Sequence, residues 1–309
     1  LEGKDVSMSD IIFKIGPRIN ASGRIDNGKQ SVDLLVEKDY SKALQQAKHI
    51  DEYNEQRKDI DKQMTEEANQ IVSRIENQKQ QSSIVVYDEN WKKGVVGIVA
   101  SRLTEIYFRP TVVLTKDGNL ATGSARSIMG VDVYAAIKHC RDLLLNFGGH
   151  TYAAGLTLHW DDIPKFKQRF QEYIESHILP EQKEATLDID AQIDFKDISK
   201  KFFHDLKRFA PFGPSNPKPR FITKGVFDYG TSKVVGREQE HIKLEVVDSK
   251  SSHVMNGIAF GQSKSARYIK SKRGFDIAYT LEENTFKRNL VQLQIEDIRP
   301  IEDDSTEEQ

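Results

Sequence analysis

Between residues 41 and about 80, apolar side chains stand singly among Gln, Lys, Glu and Asp: Leu44, Ala47, Ile50, Ile60, Met64, Ala68, Ile71 and Ile75. The spacing is helical and the stripe is thin. That combination predicts a long helix bridging two bodies, not one buried in either. From Lys29 to Lys93 the chain has neither glycine nor proline. At the rise of an α-helix residues 41 to about 80 would reach roughly 60 Å. A coiled-coil dimer is the rival reading, but the stripe lacks sustained leucine or isoleucine at both heptad seams.

Past this segment the grammar changes. Residues 83–88 read as a strand, 94–108 as a helix broken by Arg109-Pro110, and 111–115 and 120–125 as two more strands. Residues 131–147 predict a helix with Val131, Tyr134, Ala135, Ile137, Leu143, Leu144 and Phe147 on its apolar face. A strand at 156–159 and a helix from 164 to about 178 follow. Strands alternating with helices imply an α/β sandwich. From Ala185 onward the pattern is almost all β. Residues 187–195 alternate strictly, which places Asp188, Asp190 and Asp194 on the wet face of a strand. A metal site is the sharper reading of those carboxylates, but with no histidine nearby the solvated face is preferred. Further strands are expected at 221–229, 241–247, 254–260, 275–281 and 291–298. So many short strands suit a small barrel, for which the OB-fold is the natural candidate.

A chain of 309 residues with 38% apolar and 30% charged residues has room for two or three domains and their cores. No apolar run reaches the length of a transmembrane helix, and no signal peptide opens the chain. The single cysteine, Cys140, lies in an apolar-periodic helix and allows no internal disulfide, which fits a cytoplasmic protein without a membrane. The first residue is Leu1, so a fragment is expected. The net charge of −2 hides an asymmetry: residues 200–299 hold 19 basic against 11 acidic side chains, the remainder 26 against 36. A basic C-terminal part on an acidic body points to a polyanion contact in one domain, against the alternative of an unevenly sampled solvated surface. The acidic end, 302–309, reads as a disordered tail.

Candidate chemistry sits in four stretches. Gly-Pro-Arg18-Ile-Asn20-Ala-Ser-Gly-Arg24 groups two guanidinium ions and an amide, suited to a phosphate or to bracing a carboxylate; a structural turn explains it equally well. Trp91-Lys92-Lys-Gly94-Val-Val-Gly97 puts glycines where a strand feeds a helix, either for an anion or for helix–sheet packing. Ser124-Ala-Arg126 offers a hydroxyl and a guanidinium on one strand face. In Asn146-Phe-Gly148-Gly149-His150, one glycine would serve as a helix cap. A second asks for tight packing or for a ligand close to the backbone. No G-x-S-x-G, Walker loop, C-x-x-C or H-E-x-x-H is present.

These stretches continue, in order, with L-K-R-F-A-P-F-G-P-S-N-P-K-P-R-F and V-Q-L-Q-I-E-D-I-R-P. Together they closely resemble the RecJ family of single-strand-specific 5′→3′ exonucleases, in the DHH phosphoesterase superfamily, over residues 13–300. The resemblance implies an α/β plus all-β chain: 1–40 the end of a DHH catalytic domain, 41–81 a long connector helix, 82–180 the DHH-associated domain, 185–300 the OB-fold and 301–309 an acidic tail. It implies that Arg18, Asn20 and Arg24 complete the catalytic lobe's wall, that Ser124 and Arg126 grip the 5′ end, and that Gly148, Gly149 and His150 bind substrate. Two divalent metals, manganese or magnesium, belong to the family's mechanism. The sequence contains no D-H-H, so their ligands are expected upstream of Leu1 and the chain alone is expected to be inactive. Lys92 departs from the family, which often has histidine after the tryptophan. Single-stranded DNA is the implied substrate, with DNA repair and recombination as the setting and a helicase or single-strand-binding protein as candidate partners. On the barrel, charge and strand position nominate Lys224, Lys233, Arg237, His241 and Lys243. Two alternatives stand beside this: a non-catalytic single-strand-binding module, or a DHH phosphodiesterase of short oligonucleotides, which generally lacks the barrel.

Overall fold

The computed structural model describes residues 6, 8–75, 81–213, 215–284 and 291–301. The expected acidic tail at 302–309, and the end of the long helix at 76–80, lie outside these residues. The chain divides into two compact units, Leu1–Ala185 and Thr186–Gln309.

The first unit opens with α1 (Met8–Asp10), a π-type turn (Ile11–Ile15), α2 (Gly16–Ile25), α3 (Lys29–Val36) and α4 (Tyr40–Ser73). The Pro-Arg-Ile-Asn stretch is therefore helix, not turn. Pro17 follows directly on the π-type turn within a continuous helical run, and such a widened turn is where a missing N–H is accommodated. The buried Ser22 and Ser31 hydroxyls lie 2.7 Å apart and within 3.1 and 2.8 Å of the Ile19 carbonyl, so that one donates to the other and the other to Ile19, stitching α3 onto α2.

The long helix α4 runs for 34 residues, about 50 Å, and Asp39 caps it by accepting from the Lys42 N–H at 2.9 Å. Leu44 and Ala47 are exposed, and burial along the stripe begins at Ile50. Near its middle stands Asp61, fully buried. It accepts both arms of Arg102 at 2.8 and 2.7 Å, with Arg57 at 3.9 Å. Removing Arg102 strands a buried carboxylate beside one distant cation. Since Arg102 is itself half exposed, Arg102→Ala should cost about 2–3 kcal/mol. Thermal melting reads this directly, and an unchanged midpoint would contradict it.

A five-stranded sheet follows in the order β1-β2-β3-β5-β4. Its strands are β1 (Ile84–Asp88), β2 (Thr111–Asp117), β3 (Leu120–Arg126), β4 (Leu144–His150) and β5 (Ala153–His159). The β1–β2 pair is parallel and the rest antiparallel. On one face α5 (Val96–Tyr107) and the second half of α4 pack Met64, Ala68, Val99 and Leu103 against Ile84, Val86 and Val113. On the other, α6 (Val133–His139) and α7 (Ile163–His177) pack Ile137, Phe166 and Phe170 against Val112, Leu114, Ala125 and Leu156. Cys140 is buried in this second core, and burial pushes its thiol up to about 11.

The helix expected at 131–147 stops early. After His139 a short 3-10 turn (Arg141–Leu143) leads into β4. Leu144 and Phe147 still pack on the core, but through strand geometry, because Asn146 and two glycines are poor helix formers.

The second unit is a barrel. Strands β7 (Phe221–Asp228), β9 (His241–Asp248), β10 (Val254–Ala259), β12 (Val291–Pro300) and β11 (Phe275–Glu283) pair in that order, and β11 closes on β7. All pairs are antiparallel except β10 with β12, the order and parallel pair of an OB-fold. Short α9 (Ala266–Ile269) bridges β10 and β11. Phe195, Phe221, Leu244, Phe275 and Leu293 fill the interior with Tyr279, whose hydroxyl shares a 2.8 Å hydrogen bond with Thr223. Burial raises the Tyr279 phenol well above its ordinary range.

The strand expected at 187–195 shrinks to β6 (Ala191–Gln192), parallel to β7. Asp190 accepts from the Arg220 N–H at 2.8 Å, and Asp194 stands at the N-cap of the turn Phe195–Asp197. Asp190 and Asp194 close loops instead of sharing a strand's wet face, and Asp188 is exposed. Helix α8 (Lys200–Lys207), capped by Ser199, and edge strand β8 (Lys233–Val235) are additions that alternation did not indicate.

Candidate nucleic-acid interface

The apolar packing of α4 and α5 on the sheet ends at β1 and β2. Beyond it, on the same face, β3, β5 and β4 carry small and polar residues. Side chains opposite one another in an antiparallel pair share a face, so the register defines rows across the three strands. One row is Arg126–Ala153–His150, and the next is Ser124–Gly155–Gly148. A third is Thr122–Thr157–Asn146. Thus the S-A-R and G-G-H stretches, far apart in sequence, lie two strands apart on one open face, roughly 10 Å between their backbones.

A β-bulge sets this face. The register of β4 shifts between Leu144 and Asn146, so Leu145 is extra. Without it, strict alternation would turn Phe147 and Gly149 outward and His150 toward the core.

The two glycines do different work. Gly149 faces inward with φ +150, and a Cβ there would stand 2.3 Å from the Ala153 carbonyl oxygen. Packing explains it. A Cβ on Gly148 would meet nothing within 4 Å, and one on Gly155 only the Gly123 oxygen at 3.8 Å. These two leave bare backbone beside Ser124, open to a ligand.

At the platform's edge the other stretches converge. Gly94 admits the Arg24 backbone, since a Cβ there would sit 2.1 Å from the Arg24 oxygen; Arg24 donates to the Gly94 carbonyl at 3.0 Å. A Cβ on Gly97 would lie 3.1 Å from an Arg126 nitrogen and 3.3 Å from Ser124 Oγ, so the start of α5 adjoins both. No side chain caps α5, and the Ile98 and Val99 N–H groups bond back to the Val95 carbonyl. Arg126 donates to Ser124 Oγ at 2.6 Å and to the Ala125 carbonyl at 2.7 Å. Burial, and then the charge of Arg24, lower its pKa. Neither Arg24 nor Arg126 has a carboxylate partner among the described residues. Two neighbouring guanidinium ions without a counter-charge form a site that an anion relieves. His150 is exposed, and its Nδ1 accepts from the Tyr152 N–H at 3.3 Å, so the neutral ring carries its proton on Nε2.

Not every nominated residue joins the cluster. Arg18 braces the helices, donating to Asp51 at 2.6 Å and to the Lys14 carbonyl. Asn20 is exposed one helical turn before Arg24, on the same side of α2. Lys92 is exposed in the loop before α5, a cation two residues from Gly94. The third row escaped the sequence reading; the alternation of A-A-G-L-T-L-H, small or polar outward and apolar inward, was the available signal.

On the barrel a groove of about 930 Å³ crosses β9, β10 and β12. Lys200, His241, Lys243, Asn256, Phe260 and Gln294 line it, as do Lys218 and Glu282, which form an ion pair. His241 accepts from the Gly261 N–H at 3.0 Å and packs edge-on against Phe260. Lys233 lies opposite Lys243 across the β8–β9 pair. Lys224 and Arg237 are exposed but do not line the groove. The β9–β10 face is the one OB-folds offer to oligonucleotides.

An α/β domain of this kind followed by an OB barrel defines the class. Residues 64–176 match the DHHA1 domain, and residues 189–297 the RecJ OB domain. The single-stranded-DNA-specific exonuclease RecJ of Bacillus subtilis (strain 168) is 31% identical over 303 residues, 96% of this chain and 38% of that protein. That of Escherichia coli (strain K12) is 31% identical over 309 residues, 97% of this chain and 53% of that protein. The crystal structure of RecJ in complex with Mn2+ from Thermus thermophilus superposes with a TM-score of 0.81 at 24% identity, over 97% of this chain and 43% of that one, a likeness of fold. Over nearly its whole length the chain is similar to these RecJ exonucleases, and it carries the DHHA1 and RecJ OB domains. It spans about half the length, or less, of these curated relatives.

Proposed function

We propose that the chain is the substrate-holding part of a single-strand-specific 5′→3′ DNA exonuclease of DNA repair and recombination. In this reading residues 1–40 close the catalytic lobe, α4 connects it, the α/β domain grips the terminal phosphate, and the barrel holds the following strand. The observation that carries it is the meeting of Arg24, Ser124, Arg126 and His150 around bare glycine backbone, with two uncompensated guanidinium ions. Charge-assisted hydrogen bonds from such groups would fix a 5′-phosphate in place.

Phosphodiester hydrolysis in this reading uses two divalent metals, as manganese- and magnesium-bound relatives suggest. In this reading this chain's part is grip and orientation. The 309-residue chain should therefore leave DNA intact at any manganese concentration. It should bind 5′-phosphorylated single strands in preference to duplex, with affinity falling steeply between roughly 50 and 200 mM salt as counterions are released. Fluorescence anisotropy and a nuclease assay on the purified chain test both halves. Nuclease activity that follows the pure chain through chromatography, or equal binding to single strand and duplex, would overturn the reading.

A further inference from the structure

The row Thr122–Thr157–Asn146 has no part in gripping a phosphate, yet it continues the same open face. It lies one strand step of two residues, about 7 Å, beyond the row Ser124–Gly155–Gly148. Its three side chains are a pair of hydroxyls and an amide, with no intramolecular hydrogen bond among the described residues. Asn146 is exposed and the threonines half-buried. The bulge at Leu145 is what brings Asn146 opposite Thr157 on this face.

The chemistry of the row differs from that of its neighbours. Arg126 and His150 mark one end of the platform with cationic or N–H donors, whereas the far row carries no charge. A second phosphate would call for a cation. A nucleobase edge calls for paired donors and acceptors, which an asparagine amide supplies in one plane, as it does to adenine in nucleic-acid readout. Between the two ends, Gly155 and Gly148 project nothing that a Cβ-sized probe would touch below 3.8 Å, leaving room for a sugar against the backbone.

We propose that Thr122, Thr157 and Asn146 form a base-facing subsite, so that the platform holds one nucleoside 5′-monophosphate unit. Its phosphate sits at Ser124 and Arg126, its sugar lies over Gly155 and Gly148, and its base edge meets Asn146. The assignment rests on the phosphate grip proposed above, and the probes below separate the two.

The experiment titrates the full chain with deoxyribose 5-phosphate and with dAMP, followed by amide NMR shifts, which read millimolar affinities. The base should tighten binding by roughly tenfold over the sugar phosphate. In the double variant Asn146→Ala, Thr157→Val that difference should collapse, while Arg126→Ala should weaken both probes alike. Thr157→Val keeps shape and β-branching and Asn146 is exposed, so the melting temperature checks the fold. If dAMP gains nothing over deoxyribose 5-phosphate, or keeps its gain in the double variant, the subsite is wrong. If deoxyribose 5-phosphate binds Arg126→Ala as it binds the parent, the phosphate grip is wrong, and the Asn146 dependence of dAMP still decides the subsite.

Discussion

Arg126→Ala should weaken binding of a 5′-phosphorylated single strand by roughly ten- to a hundredfold and leave the melting temperature unchanged or slightly raised. The binding loss is that of charge-assisted hydrogen bonds, about 1.5–3 kcal/mol. The stability expectation follows from the charges: Arg126 is held beside Arg24 with no carboxylate between them, and burial and that neighbour both lower its pKa. Removing it relieves a repulsion and forfeits only the bonds to Ser124 Oγ and the Ala125 carbonyl. His150→Ala should lose a similar amount. Since both side chains grip one phosphate across Ala153, the double variant should lose less than the sum. Anisotropy with a 5′-phosphorylated and a 5′-hydroxyl oligonucleotide, beside thermal melting, measures each term. If His150→Ala melts far lower yet binds the phosphorylated strand normally per folded molecule, the histidine is structural and the grip fails.

How much of this was legible beforehand divides along physical lines. The long helix, the alternation of β1, α5, β2 and β3, and five barrel strands follow from apolar periodicity, because each of those elements buries one clear face. Strand β4 was not legible as a strand: Leu143, Leu144 and Phe147 satisfy a helical face as well as a bulged edge strand, and only pairing with β5 decides. Asp190 and Asp194 mimicked a strand because loop-closing carboxylates also alternate. At the candidate site, motif order nominated Arg126 and His150, but not that they share a row; that depends on one extra residue, Leu145. Arg18 illustrates the opposite case, since a guanidinium in a motif reads the same whether it awaits a phosphate or, as here, braces Asp51.

The paired glycines give the second large effect, and the two should respond in opposite ways. Gly149→Ala forces a Cβ to within 2.3 Å of the Ala153 oxygen and 2.5 Å of the Ala154 Cα, at a φ of +150 that side chains rarely adopt. Both obstacles are backbone of the paired strand, so the hairpin itself must open. A cost of about 3–5 kcal/mol is expected, a fall of about ten degrees in the melting temperature of the first unit. Gly148→Ala meets no atom within 4 Å and needs no positive φ, so the fold should hold or gain slightly from a stiffer unfolded chain. Its methyl nevertheless stands in the trough between Ser124 and the edge of the sheet. It should weaken the 5′-phosphorylated strand by roughly five- to tenfold, the loss of one or two close hydrogen-bonded contacts. Gly155→Ala, nearest only to the Gly123 oxygen at 3.8 Å, should behave as Gly148→Ala does. Melting curves and anisotropy on the three variants set stability against binding. Should Gly148→Ala bind as tightly as the parent, bare backbone on this face would have no bearing on the ligand, and the second glycine would be an accident of an edge strand.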